Sequence, residues 1–159
     1  MSDKNLSCYV LMVAKTFPAS TEKAGQPTNF KEKIERGDKI HTVRKNYPFW
    51  KKRFEKIDRG DAYISLREWT GKPYKSKQKE IGRLYKSHCI GIQSIEGHIL
   101  SNVYIDKWMF DLQDLAKNDG LTVLEFNEWF NGIDYGEDIP CIIHFTDFRY
   151  NDKNCILPF

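Results

Sequence analysis

Residues 39–44 read Lys-Ile-His-Thr-Val-Arg (KIHTVR), two aliphatic β-formers laced with three basic side chains and a threonine. Ile40 and Val43 favour extended backbone, and Thr42 tolerates it well. Strict alternation places Ile40, Thr42 and Arg44 on one face and Lys39, His41 and Val43 on the other. Neither face is cleanly apolar, which is a poor design for a strand that only fills a core. A threonine between two basic residues is compatible with binding an anion.

Working outward, SCYVLMVAK (7–15) reads as a first core strand, followed by a Pro/Gly/Ser/Thr-rich loop. NFKEKIERG reads as a short helix, with Asn29 and Glu32 spaced as a capping box and Gly37 as its stop. Downstream of KIHTVR, YPFWKKRFEKIDRGD suggests a basic helical turn ending at Gly60. AYISLREW alternates as a strand, and TGKPYKSKQ is a basic, turn-rich loop. Glu80 to Ile105 is β-rich and broken at Gly97, which predicts a hairpin there. MFDLQDLAKNDG is predicted helical as far as Gly120. Thr122 opens a second helix with Glu125 completing a capping box, and Val123, Phe126, Trp129 and Phe130 form its apolar stripe. PCIIHFTDFRY closes the chain as a strand. Short strands with helices inserted between them do not give regular βαβ alternation. The expectation is an α+β fold: one domain over residues 1–159, a small mixed β-barrel with short helices covering its openings.

With 159 residues, 40% of them apolar and 14% aromatic, the chain can bury a core and is globular rather than disordered. No apolar run approaches the roughly 18 residues of a membrane span, and the first apolar run is too short and too late for a secretory signal. A cytoplasmic protein with no membrane partner is expected. The four cysteines are widely spaced, which disfavours a disulfide framework. Cys141 and His144 form a C-x-x-H without a second half, so no metal is expected. Glycine-rich phosphate loops, H-E-x-x-H and G-x-S-x-G are absent from the sequence, leaving P-loop chemistry and the common zinc and serine hydrolases without support. No cofactor is expected.

The net charge of +3 is unevenly spread: Lys31 to Lys86 holds eighteen Lys or Arg against eight Asp or Glu, while Ser87 to Phe159 holds four against twelve. Such polarity suits either a phosphate-binding face or mutual neutralisation across the fold.

Thr42 can act as a nucleophile if a base takes its proton, and Lys39 is near enough in sequence to be that base. Burial or the neighbouring Arg44 would have to lower the lysine pKa. In an ideal strand residues 39 and 42 face opposite ways, so Lys39 must precede the regular strand, on the turn at Gly37-Asp38. Asp119, at a tight turn between two helices, is the carboxylate candidate; an Asp before Gly is also common in turns. Trp69 and Tyr74, interleaved with Lys72, Lys77 and neutral Ser76 and Gln78, suit single-stranded nucleic acid, rings for bases and cations for phosphates. Trp50, followed by Lys51, Lys52 and Arg53, offers a second such cluster, or else anchors its segment in the core.

PTNFKEKI, GDKIHTVR, REWTGKPYKSKQ, NDGLTVLEFNEWF and CIIHF fall in an order that resembles the ASCH (activating signal cointegrator homology) domain, a family related to PUA domains. The resemblance covers almost the whole chain. It implies a PUA-like β-barrel, a cleft lined by the KIHTVR strand, and a role with RNA or modified nucleosides. One compact branch of the family removes the acyl group from N4-acetylcytidine with a lysine, a threonine three residues later and a glutamate. Lys39 and Thr42 match the first two, Asp119 stands at the acid position, and Arg44 matches the arginine after the threonine. The acid is thus one methylene shorter, and the REWTGKPYKSKQ segment is an insertion that the compact branch lacks.

Two functions are therefore expected from different classes. The first is a module that binds RNA, single-stranded nucleic acid or a modified nucleoside in a positive cleft. Trp50, Trp69 and Tyr74 would stack on bases, Arg44, Lys72 and Lys77 would hold phosphates, and Ser76 and Gln78 would add hydrogen bonds. The alternative is an amidohydrolase on N4-acylcytidine-type nucleosides. Thr42 would attack, Lys39 would act as base, Asp119 would orient Lys39 or pass on a proton, and Arg44 or backbone N–H groups would hold the oxyanion.

Overall fold

Two sheets and four helices make up the described part of the chain, residues 5–99, 101–131 and 138–156 of a computed structural model. In chain order the elements are β1 (Ser7–Met12), α1 (Phe30–Arg36), β2 (His41–Arg44), α2 (Tyr47–Asp58), β3 (Ala62–Trp69) and β4 (Gln78–Leu84), then β5 (Gly91–Ile99), β6 (Asn102–Ile105), β7 (Trp108–Asp111), α3 (Leu112–Asn118), α4 (Val123–Trp129) and β8 (Cys141–His144). The class is α+β. One sheet has the order β1-β3-β4, with β1 parallel to β3; the other is β2-β8-β5-β6-β7, antiparallel throughout. Among the described residues no ladder joins the sheets, so the expected single barrel is not closed. Where β1 and β2 approach, a side chain substitutes for the ladder: Arg44 donates to the Met12 carbonyl.

The apolar runs fall where the sheets are covered. β8, the segment Cys-Ile-Ile-His, lies between β2 and β5 and is buried at every position, which is why it reads as a continuous rather than alternating run. On β3, Ala62, Ile64 and Leu66 face the core at every second residue. α2 is a full helix rather than a single turn; Trp50, Phe54 and Ile57 bury one stripe at helical spacing while its lysines stay exposed.

Several local expectations are corrected. Asn29 precedes α1 in a left-handed conformation and makes no side-chain cap; Thr28 Oγ1 accepts from the Phe30 N–H instead. Gly97 is not the hairpin turn but lies at a bulge: Ile99 pairs with Asn102, so the reversal comes after Ile99. Trp108–Asp111, at the start of the predicted 109–120 helix, forms β7, because a two-residue turn at Asp106-Lys107 sends the chain back along β6. Asp111 then caps α3 by accepting from the Gln113 N–H. The last strand ends at His144 rather than running on to Tyr150. The Thr122–Glu125 capping box of α4 is formed from both sides.

Candidate active site

The segment before β2 is set by the end of α1. Gly37 adopts a left-handed conformation as the C-cap, and the Asp38 and Lys39 N–H groups both donate to the Lys33 carbonyl. Ile40 is then tied to the end of α3, donating to the Asn118 carbonyl. Regular strand begins only at His41. Lys39 is thereby freed from the alternation, and its side chain enters the same cavity as those of Thr42 and Arg44, with Asp119 arriving from the α3 C-terminus.

Lys39 is 2% exposed, Asp119 2% and Thr42 4%. Lys39 Nζ donates to Asp119 Oδ1 at 3.0 Å and to the Asp119 backbone carbonyl at 2.7 Å. It also lies 4.2 Å from the centre of the Phe30 ring, a cation–π contact. Burial pushes the Lys39 ammonium below the usual lysine range, and Asp119 offsets this only in part. Burial works the other way on Asp119 and would raise it, but the Lys39 charge and His41 outweigh that and leave the carboxyl below its usual range. The result is a fixed carboxylate beside a lysine that gives up its proton more readily than a surface lysine.

Thr42 is oriented by its neighbour two residues on. Arg44 Nη1 donates to Thr42 Oγ1 at 2.7 Å and to the Val43 carbonyl, while Nη2 holds the Met12 carbonyl. With Oγ1 accepting from a guanidinium, the hydroxyl proton is left to point elsewhere. Among the described residues no hydrogen bond joins Lys39 to Thr42. The cavity volume they share is about 20 Å³, room for one water or one small group to bridge them. Through Arg44, Trp129 and Phe130 this narrow space adjoins a wider groove of about 290 Å³, completed by Val43, Lys45 and Asn131. Phe30, Leu121 and Trp129 give the inner cavity apolar walls.

Behind Asp119 lies a buried polar chain that sequence reasoning missed. Asn118 Nδ2 donates to Tyr150 Oη at 3.0 Å, and Tyr150 Oη lies 2.8 Å from His41 Nε2. Burial pushes the Tyr150 hydroxyl up, so it keeps its proton and donates it to Nε2. That assigns the imidazole proton to Nδ1, which faces Asp119 Oδ1 at 3.4 Å, a contact that falls short of hydrogen-bond geometry. Burial holds His41 below the usual histidine range. The sequence signal was present: in KIHTVR the histidine sits on the Val43 face of the strand, and a buried polar ring needs partners.

The remaining predicted residues do not converge here. Trp69, Lys72, Tyr74, Ser76, Lys77 and Gln78 belong to the β3–β4 hairpin, and none of them lines the cavity. Ser76 Oγ serves the loop itself, accepting from the Gly71 N–H and donating to the Lys72 carbonyl, and Gln78 accepts from Arg67. Trp50 as a base-stacking residue is corrected: at 7% exposure it packs α2 into the core. Cys141 and His144 are both buried on β8, and among the described residues no three metal-ligating side chains cluster. Among the same residues, no helix is long and apolar enough to cross a membrane. Comparison of the chain with protein-family models, curated proteins and solved structures finds no match in any of the three.

Proposed function

We propose that the cavity is the active site of an amidohydrolase acting on acylated nucleobases of the N4-acylcytidine type, built on an ASCH-type, PUA-like scaffold. One observation carries the proposal: a lysine 2% exposed is hydrogen-bonded to an equally buried carboxylate and shares a narrow cavity with a threonine hydroxyl. A lysine that grips phosphates belongs in solvent, where a strand of nucleic acid can reach it. A buried lysine with a lowered pKa is suited to taking a proton.

In this reading Lys39 first gives up its own proton, and Thr42 Oγ1 then attacks the acyl carbonyl as its proton passes to the lysine, directly or through one bridging water. Arg44, already bound to Oγ1, stabilises that oxygen as it loses its proton. The C–N bond breaks, Lys39 returns the proton to the departing amine, and the acyl group rests on Thr42 as an ester. Water then hydrolyses the ester, releasing the carboxylic acid and restoring the hydroxyl. Asp119 keeps Lys39 aimed at the cavity. The narrow inner space suits a small acyl group, and the wider groove beyond Arg44 suits the base and sugar.

Incubation with N4-acetylcytidine, with chromatography for cytidine and acetate, tests the proposal. Turnover by the parent chain and none by Thr42→Ala is the expected result; no turnover by the parent at millimolar substrate overturns it.

A further inference from the structure

The loop between β3 and β4 is a second place where chemistry collects, outside the cavity. Tyr74 is 90% exposed and takes a left-handed backbone conformation with φ 64°, which a bulky residue adopts only when its surroundings hold it there. The surroundings do hold it. Thr70 bonds the Lys77 carbonyl through both its N–H and its hydroxyl. Ser76 Oγ ties Gly71 to Lys72, and the Lys75 N–H returns to the Lys72 carbonyl. The ring so displayed sits 5.2 Å from that of Trp69, tilted by 49°. An exposed ring backed by a half-buried tryptophan is thus held on a knitted loop rather than on a loose one.

Around it stand Lys72, Lys75 and Lys77, all exposed. Among the described residues none of the three has an acidic partner within ion-pair distance, whereas Lys23, Arg36, Lys45, Arg59 and Arg83 each do. Lys79, by contrast, lies opposite Glu68 in the ladder. Three unneutralised cations beside an exposed tyrosine ring ask for a ligand that is anionic along its length and flat at intervals.

We propose that this loop is a stacking platform for single-stranded nucleic acid, separate from the acyl-binding cavity. A base stacks on the Tyr74 ring, which Trp69 backs, and Lys72, Lys75 and Lys77 meet successive phosphates. Ser76 Oγ is already engaged within the loop and Gln78 Oε1 by Arg67, so the platform is tolerant of sequence.

Fluorescence anisotropy of the intact chain with a labelled twelve-nucleotide uridine RNA, at two salt concentrations, tests this. Tyr74→Ala is expected to weaken binding at least tenfold. Lys72→Gln/Lys75→Gln/Lys77→Gln is expected to reduce the log–log salt slope by about two, from about 0.7 per lost phosphate contact. Thr42→Ala, which disables the cavity but not the loop, is expected to bind as the parent does. The result stands or falls whether or not the chain deacylates anything. It is overturned if the parent does not bind, if Tyr74→Ala and the triple variant bind like the parent, or if Thr42→Ala loses binding. Binding that anionic lipid vesicles or a polyglutamate peptide compete away as well as RNA also overturns it, since charge alone would then account for it. Thermal melts of each variant confirm that the loop changes leave the fold intact.

Discussion

Lys39 and Asp119 are joined twice, since Lys39 Nζ reaches both a carboxylate oxygen at 3.0 Å and the backbone carbonyl of the same residue at 2.7 Å. The pair is enclosed, so each charge depends on the other. Lys39→Met should destabilise the chain by about 3–5 kcal/mol by stranding the Asp119 carboxylate. Lys39→Met/Asp119→Asn should recover a large part of that loss, because no uncompensated charge is left. Urea denaturation of the two single variants and the double variant measures the coupling. A double variant as unstable as the sum of the singles would mean that the two residues act independently.

A different buried ring makes the fold sensitive to acid. Burial lowers His144 to about 2, while its nitrogen Nε2 is engaged by Gln93 Oε1 at 2.9 Å. In the unfolded chain the same ring titrates near its ordinary value of about 6.5. Between these values the unfolded state binds the extra proton, so the stabilisation is complete above about pH 6.5 and declines as pH falls toward the folded value. The expected decline is about 1.4 kcal/mol per pH unit for this group alone. His144→Gln should lose stability at pH 7.5 but show a shallower fall between pH 6.5 and 5.5. Denaturant midpoints at the two pH values read this directly.

Arg44 offers a test of whether geometry or charge matters at Thr42. Its two terminal nitrogens hold Thr42 Oγ1, the Val43 carbonyl and the Met12 carbonyl together. A lysine keeps the charge but has no fork with which to bond all three. If the cavity deacylates nucleosides as proposed, Arg44→Lys should lower kcat by about 10- to 100-fold, the equivalent of one charge-assisted hydrogen bond of about 1.5–3 kcal/mol. KM should change little, since the arginine acts on the nucleophile rather than on bound substrate. Steady-state rates on N4-acetylcytidine give the split; an effect on KM alone would place Arg44 in substrate binding.

What the sequence made legible follows from the range of the forces involved. The Thr122–Glu125 box and the Gly37 stop are local devices and were readable from spacing. β8 was readable as a strand because burial on both faces leaves an unbroken apolar run. For Trp50 the following lysines and arginine fit a stacking cluster as well as a core anchor, and the Trp50-Phe54-Ile57 spacing of a buried helical face decides for the core. Asn29 matched a capping box in letters only; its left-handed backbone prevents the side chain from capping the helix. The two sheets could not be told from a barrel, since ladder closure is decided by residues far apart in the chain. For the site, Lys39, Thr42 and Arg44 were visible in six residues. Asp119 was named from its turn and from the resemblance, but its double contact with Lys39 needed the fold, and the His41–Tyr150–Asn118 chain spans 109 positions from His41 to Tyr150.

Gly120 is the residue on which the placement of Lys39 turns. It follows Asp119 with φ +80°, and a Cβ added there would lie 3.2 Å from Lys39 Cβ and 3.4 Å from Lys39 Cδ. Its carbonyl also accepts from Lys33 Nζ at 2.8 Å. Gly120→Ala therefore meets two costs: the left-handed backbone, about 1–2 kcal/mol for a residue with a Cβ, and crowding against the lysine stem. The second can be relieved only by moving Lys39 or the turn, and either movement shifts Nζ relative to Asp119. Stability should fall by about 1–3 kcal/mol. Displacement of a reacting group by even about 1 Å can cost about 100-fold in rate, so the deacylation proposed for the cavity should fall by far more than stability explains. Gly120→Asn, whose side chain tolerates the left-handed region better, should recover backbone stability while the crowding of Lys39 persists. Thermal melts and turnover of the two variants together separate backbone strain from displacement of the lysine. Full activity in Gly120→Ala would show that the position of Lys39 does not govern the chemistry.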